Sequence, residues 1–297
     1  MIRAVALAAL VATGDPATLA VRTTSGTVEW WRADQAPVRW DSAHPTVTHA
    51  LRWTRGAPGV EWGEIVLQAG GEAWRTRVIV ARLNPRRVRF DLQWGVDSTA
   101  RSIWSVDEIG ADVVFAVNAG QFAAALPWGW VVAGGRERLS PGRGPLSAAF
   151  VAARDGTVHF VDGDTLEAVR RSPGVVAAFQ SYPALLRGDG EVPPMIREPC
   201  AIDCTHRDAR VAIGMDRSGR MLVALTRFDA AGEALGFIPL GLTVPETAAL
   251  MGALGARRAV LLDGGISAQM LVRDATGASH IWRGVRRVPL GLVARVR

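Results

Sequence analysis

Strand-type patterns outnumber helical ones along this chain. Val88, Phe90, Leu92 and Trp94 alternate with Arg89, Asp91 and Gln93, the period-two signature of a half-buried strand. Asp208 to Gly214 and Met221 to Leu225 flank the turn Asp216-Arg217-Ser218-Gly219 and predict a hairpin; Arg154-Asp155-Gly156 predicts another. Asp112 to Val117 reads as a strand ending at Asn118, and Ala133 to Pro145 as a loop before a strand from Leu146 to Ala153. Helical signals are few. Ser105 caps a short helix, Leu166 to Arg171 predicts another, and Arg187 to His206, with three prolines, reads as a long loop or lid. Strands that do not alternate regularly with helices point to an α+β fold with mixed β-sheets flanked by a few helices.

One helix–strand unit stands out. Thr243-Val244-Pro245-Glu246 is a capping box, so Glu246 reads as a capping group. A helix follows to Leu254, and Gly255 stops it. The apolar strand Ala259 to Leu262 then ends abruptly in Asp263-Gly264-Gly265-Ile266-Ser267. The two glycines favour a tight turn, which delivers a carboxylate at a strand end beside bare backbone N–H groups.

Four blocks in order carry a resemblance: Asn118-Ala119-Gly120-Gln121-Phe122, Gln180-Ser181-Tyr182-Pro183-Ala184-Leu185, Arg210 to Gly214, and Leu262 to Ser267. Together they resemble the phosphodiester glycosidase domain family over most of the chain, from about Val78 to Val293. Tyr182, Gln121 and Ile266 depart from the residues usual there. The resemblance implies a hydrolase of sugar phosphodiesters in which Asn118, Arg210 and Asp263 meet in one cleft as catalytic residues. Gly120, Gln180, Ser181 and Arg286 are expected to bind substrate, as are Gly264, Gly265 and Ser267. On this reading a single main domain spans residues 77–297, with a Trp-rich β region over residues 21–76 as an N-terminal extension. Its tryptophans (Trp30, Trp31, Trp40, Trp53, Trp62) fill a small β core or form a carbohydrate platform, the core being favoured.

Composition narrows the setting. The chain carries a formal net charge of +6 and no lysine, so all 34 basic residues are arginine. They are scattered, with no basic recognition helix, which argues against nucleic acid as partner and leaves a surface suited to anionic substrates. Arg3 followed by the apolar run Ala4 to Ala12 predicts a signal peptide cleaved after Ala20, hence an exported protein. That run is too short to span a bilayer, and no integral membrane segment is expected. Cys200 and Cys204 are the only cysteines. A disulfide suits an exported chain, ahead of free thiols or a zinc site.

The candidate residues suit phosphodiester chemistry. Arg210 offers a planar fork for phosphate oxygens, and Asn118 can donate and accept. Only Asp263 is placed as a reacting carboxylate, as base or nucleophile; Asp203, Asp208 and Asp216 are the candidates for a second. A departing phosphomonoester is a stabilised anion and needs little protonation, so one acid fewer is required than in ordinary glycosidases. No histidine forms a metal motif, and no cofactor or metal is expected. The partner is a glycan or sugar-phosphodiester substrate, and a non-catalytic envelope protein that binds polysaccharide in the same cleft is the alternative.

Overall fold

The computed structural model describes residues 17–68, 75–142, 144–197, 200, 202–229, 238 and 240–297. Residues 1–16, the greater part of the expected signal peptide, lie outside them. The largest element is an antiparallel sheet in the spatial order Ala184–Leu186, Ala256–Leu262, Val211–Asp216, Met221–Phe228, Thr76–Leu83, Val60–Gln68, Thr18–Thr23, Gly26–Arg32. Thr54–Arg55 adds a ninth strand beside Val60–Gln68. Two five-stranded sheets complete the core. One runs Arg136–Leu139, Val131–Ala133, Val175–Ser181, Ala148–Ala153, Val158–Asp162; the other Ser279–Trp282, Met270–Arg273, Val113–Asn118, Leu290–Val296, Val88–Trp94.

Both faces of the large sheet's central strands are buried, which explains why strands such as Met221–Phe228 and Ala256–Leu262 read as continuous apolar runs rather than clean alternations. Ile79, Ala81, Val211, Ile213, Val223, Val260 and Leu262 face the two smaller sheets, where they meet Phe115, Val117, Phe150, Phe179 and Leu290. The alternate residues Val78, Val80, Ala212, Ala224, Ala259 and Leu261 face the other way. There they pack on helices α1 (Pro45–Ala50) and α3 (Val244–Ala253), with the N-terminal tryptophans and Leu185 and Ile196. Helix α2 (Leu166–Arg170) covers the outer face of one small sheet through Leu166.

Among the described residues these three helices are the α-helices, so the architecture is mainly β. The capping box on α3 forms as expected: Thr243 Oγ1 accepts from the Glu246 amide, and the Glu246 carboxylate accepts from the Thr243 amide. Gly255 follows with a φ of +94°. The expected loop from Ala133 to Pro145 is instead a hairpin, Val131–Ala133 with Arg136–Leu139. Gly134 and Gly135, at φ +59° and +72°, supply the left-handed turn that reverses it. Within the segment read as a loop or lid, Val192 and Ile196 are buried in the core, which anchors that part of it.

The Trp-rich region shares the main sheet. Val60–Gln68 pairs with Thr76–Leu83 over eight residues, across the expected boundary at residue 77. Trp30, Trp31 and Trp40 are buried, so they serve the core. The Trp40 ring lies on α3 where Gly252 has no side chain; a Cβ there would stand 2.2 Å from Trp40 Cγ. Thr18–Thr23 is a strand with Leu19 and Val21 fully buried, so Ala20 lies inside an element of the fold. Arginines pin distant backbone segments. Arg257 donates to the Trp40 carbonyl, Arg273 Nε to that of Val113 at 2.7 Å and Arg227 Nη2 to that of Arg283 at 2.7 Å.

Trp40→Ala should therefore destabilise the whole fold, by about 3–5 kcal/mol, in one cooperative transition. Thermal unfolding followed by far-ultraviolet circular dichroism and by tryptophan fluorescence checks this. An early separate transition of the N-terminal region would contradict it.

Candidate active site

The large sheet and one small sheet meet at the end of Ala256–Leu262, where the chain leaves the strand as Asp263-Gly264-Gly265. Close backbone approach shapes this turn. A Cβ on Gly264 would lie 2.3 Å from the Ala209 carbonyl oxygen, a contact no side chain survives without movement. Gly265 takes a φ of +59°, and its N–H donates to the same Ala209 carbonyl at 2.8 Å. Gly265–Ser267 then form a single 3-10 turn.

Asn118, last residue of Val113–Asn118, is buried at 1% exposure. Its Nδ2 donates to the Asp263 carbonyl at 2.7 Å, and its Oδ1 accepts from the Gln269 amide at 3.1 Å. The Asp263 amide donates to the Gly120 carbonyl at 2.9 Å. Asn118 and Gly120 thus fix the backbone of Asp263 from the neighbouring sheet.

The Asp263 side chain meets three groups: the Ser267 hydroxyl donates to it, the Arg286 guanidinium attracts it, and the Asp208 carboxylate repels it. Burial is the strongest influence and, with the Asp208 charge, pushes Asp263 up to about 6 against the pull of Ser267 and Arg286. Arg286 is carried on a loop that hangs from Ile266, whose carbonyl accepts from the amides of Val285 at 2.8 Å and Arg286 at 3.0 Å. Its guanidinium lies 4.9 Å from the Phe122 ring centroid and donates to the Ala124 carbonyl at 2.9 Å.

Arg210 sits on the other side of Asp208. Its Nε donates to the Leu242 carbonyl at 2.8 Å and its Nη2 to that of His206 at 2.6 Å. The charges around it are Asp208, Asp203 and Glu246, and burial holds its guanidinium below its usual range. Arg210 therefore reaches Asp263 through Asp208. Glu246 acts as capping group and as bidentate partner of Arg207, with both bonds at 2.7 Å.

The structure thus gathers Asp263, Ser267, Gly264, Gly265, Gly120 and Arg286, with Asn118 behind them. Three of the expected site residues hold backbone groups. Asn118, Gln180 and Ser181 are buried, and the Asn118 amide, the Gln180 Oε1 and the Ser181 hydroxyl are taken by backbone partners. Gln180 Oε1 accepts from the Trp130 and Gly142 amides at 2.7 and 2.8 Å, and Ser181 Oγ donates to the Leu261 carbonyl at 2.5 Å. Of the three candidates for a second carboxylate, Asp216 folds back on its own turn, with Ser218 and Arg220, and Asp203 accepts from the His206 amide. Asp208 alone among them faces Asp263. In sequence its signal was only its place two residues before Arg210. Cys200 and Cys204 form a disulfide, with Cα atoms 6.2 Å apart, just upstream of this segment.

A family model for phosphodiester glycosidases matches residues 111–295, more than half of the chain. The chain belongs to the phosphodiester glycosidase family. Among solved structures it is similar to the catalytic domain of zebrafish N-acetylglucosamine-1-phosphodiester alpha-N-acetylglucosaminidase, in a form auto-inhibited by its pro-peptide. That match has 19% identity and a TM-score of 0.60, covering 89% of this chain and 92% of the other. A hypothetical protein from Synechocystis matches with 16% identity and a TM-score of 0.52, over 95% of this chain and 68% of that one. At these identities the likeness is one of fold. No curated protein matches the chain. The family match covers all four sequence blocks and the Arg286 loop, so the turn at Asp263 lies within the phosphodiester glycosidase domain.

Gly264→Ala should cost about 1–3 kcal/mol, because the contact it creates is with backbone. A chemical denaturation midpoint equal to that of the wild type would show that the turn is not tightly fitted.

Proposed function

We propose that this chain is an exported hydrolase that cleaves sugar-1-phosphodiesters in a cell-envelope or extracellular glycan, with Asp263 as the reacting carboxylate. The observation that carries this reading is the setting of Asp263. In a domain of the phosphodiester glycosidase family, this carboxylate is desolvated at a strand end, oriented by Ser267 and faced by the cation of Arg286. A desolvated, oriented carboxylate suits attack on a sugar carbon. Asp263 attacks the anomeric carbon, and the bond from that carbon to the phosphate oxygen breaks. The electron pair leaves with the phosphate, which departs as a phosphomonoester anion and needs no proton. Arg286 stabilises the charge that builds there. Water then releases the sugar from Asp263.

Export is supported by the Cys200–Cys204 disulfide, which suits an oxidising compartment, and by the apolar run near the N-terminus. Because Thr18 to Thr23 form a strand, the cut is expected upstream of Thr18 rather than after Ala20. Intact mass of the natively exported protein checks this; a mature chain that begins at Val21 would contradict it.

Asp263→Asn should abolish turnover with the fold retained, and Arg286→Ala should lower kcat about 10²–10³-fold. The assay is hydrolysis of a panel of sugar-1-phosphate methyl diesters, with phosphomonoesters and plain glycosides as controls and a melting curve for each variant. N-acetylglucosamine is the first sugar to try, since the zebrafish relative is named for it. Near-normal turnover by Asp263→Asn would remove this carboxylate from the mechanism. A wild type that binds glycan but hydrolyses none would favour the binding-protein reading.

Asp263 must be ionised to attack. With the group at about 6 rather than the ordinary 3.8, turnover should be low in acid, climb as pH rises through about 6, and level off above it. A kcat/KM profile with its acid limb near pH 4 would contradict this assignment.

A further inference from the structure

We propose that Asp208 is the second carboxylate of this site: it takes the proton from the water that releases the sugar from Asp263. This inference rests on Asp263 being the reacting carboxylate and adds the group that completes the cycle.

The geometry sets Asp208 over the turn that carries Asp263. A Cβ on Gly265 would lie 3.0 Å from Asp208 Oδ2 and 3.2 Å from Oδ1, so the absence of a side chain there leaves room for the carboxylate. The backbone of Asp208 is fixed in both directions: its amide donates to the Leu242 carbonyl at 3.2 Å, and its carbonyl accepts from the Leu242 amide at 3.1 Å. The two oxygens then differ. Oδ1 accepts from the Ala209 amide at 2.8 Å. Oδ2 has no hydrogen-bond donor among the described residues; His206 Nε2 lies 3.8 Å from it on an exposed ring. The Asp208 side chain is 21% exposed, so water reaches the free lone pairs of Oδ2.

The charges divide the work between the two acids. Asp263 is faced by Arg286 and Asp208 and bonded by Ser267. Asp208 is faced by Arg210 and His206 and bonded by the Ala209 amide. Burial raises Asp208 above the ordinary carboxylate range, against the pull of Arg210, the Ala209 amide and His206, which favours proton uptake. Asp263 is the drier and better oriented of the two and suits attack on carbon. Asp208 keeps an open oxygen and suits a water molecule.

The step balances. A water oxygen bonds to the anomeric carbon of the glycosyl ester on Asp263. The bond from that carbon to the Asp263 oxygen breaks, and its electron pair restores the Asp263 carboxylate. The proton lost by water goes to Asp208 Oδ2 and then to solvent. The first step, expulsion of the phosphomonoester, needs no proton and so does not need Asp208. Two carboxylates of different duty flanking a sugar carbon are the general requirement of double-displacement glycoside hydrolysis.

This asymmetry defines the test. The substrate is the sugar-1-phosphate methyl diester that the wild type hydrolyses fastest, and methyl phosphate release is followed from the first turnover. Asp208→Asn should release about one equivalent of methyl phosphate per enzyme in a burst, then turn over about 10²–10⁴-fold more slowly than the wild type. Intact mass should show the sugar on the protein, and peptide mapping should place it on Asp263. Sodium azide should restore turnover and yield the glycosyl azide, because azide attacks without needing a base. Asp208→Ser should behave in the same way if the amide disturbs the Ala209 turn. Loss of activity in both variants without a burst, without a trapped sugar and without azide rescue would overturn the proposal. So would normal turnover by either. A wild type inert toward every sugar phosphodiester would instead sink the function itself, an outcome separable from the others because it appears before any variant is made.

Discussion

The site depends on one buried amide. Asn118 ends a strand of a small sheet, and its side chain bonds the carbonyl of Asp263, which follows a strand of the large sheet. The same amide takes the N–H of Gln269 with its oxygen, so both of its ends are used. Two sheets packed largely through apolar contacts are tied together at the point where the carboxylate emerges. Such a bond matters more by its absence than its presence. A buried amide stripped of its partners costs about 1–3 kcal/mol, against about 1 kcal/mol gained when it is paired. Ser181 ties the Leu261 carbonyl and Gly120 holds the Asp263 amide, so the strand end is fixed from several sides.

From this anchoring follows an alternation of charge. Arg286, Asp263, Asp208 and Arg210 form a sequence of cation, anion, anion, cation across the turn. The two acids stand together because each has an arginine on its outer side, and neither arginine cancels both. Arg210 spends two of its donors on backbone carbonyls and so stays in place whatever binds. Arg286 packs on Phe122 and is held through the carbonyl of Ile266, one of the three residues that depart from the family pattern. Because that hold is made by backbone, the departure leaves it intact. Family membership and fold set the class of chemistry, whereas the activity of this chain rests on these side chains.

What the sequence made legible was local. The capping box on α3, the glycine that stops it, the hairpin at Asp216 and the Asp-Gly-Gly turn each depend on residues a few positions apart, and each formed. Partners distant in the chain were the harder part. Asn118, Gln180 and Ser181 were expected as ligands because they lie in blocks that resemble the family's, yet their partners lie 38 to 151 residues away. Gly134-Gly135 read as loop because glycine marks both loops and hairpin turns, and only pairing distinguishes them. Asp208 was one of three equivalent acids until the fold brought it over Gly265. The tryptophans of residues 30–40 carried the right physical signal, core packing, but their partner was α3, more than two hundred residues on.

The arginine pins of the fold have a consequence for alkaline conditions. Arg210, Arg227, Arg257 and Arg273 each hold a backbone carbonyl of a remote segment, and no lysine shares this task. A lysine ammonium begins to surrender its proton near pH 10, whereas a guanidinium keeps its own well beyond that. The cross-braces of this architecture are thus built from the basic side chain that keeps its charge where a lysine would begin to lose it, so an alkaline medium that loosens lysine-held contacts in other proteins finds none here to loosen.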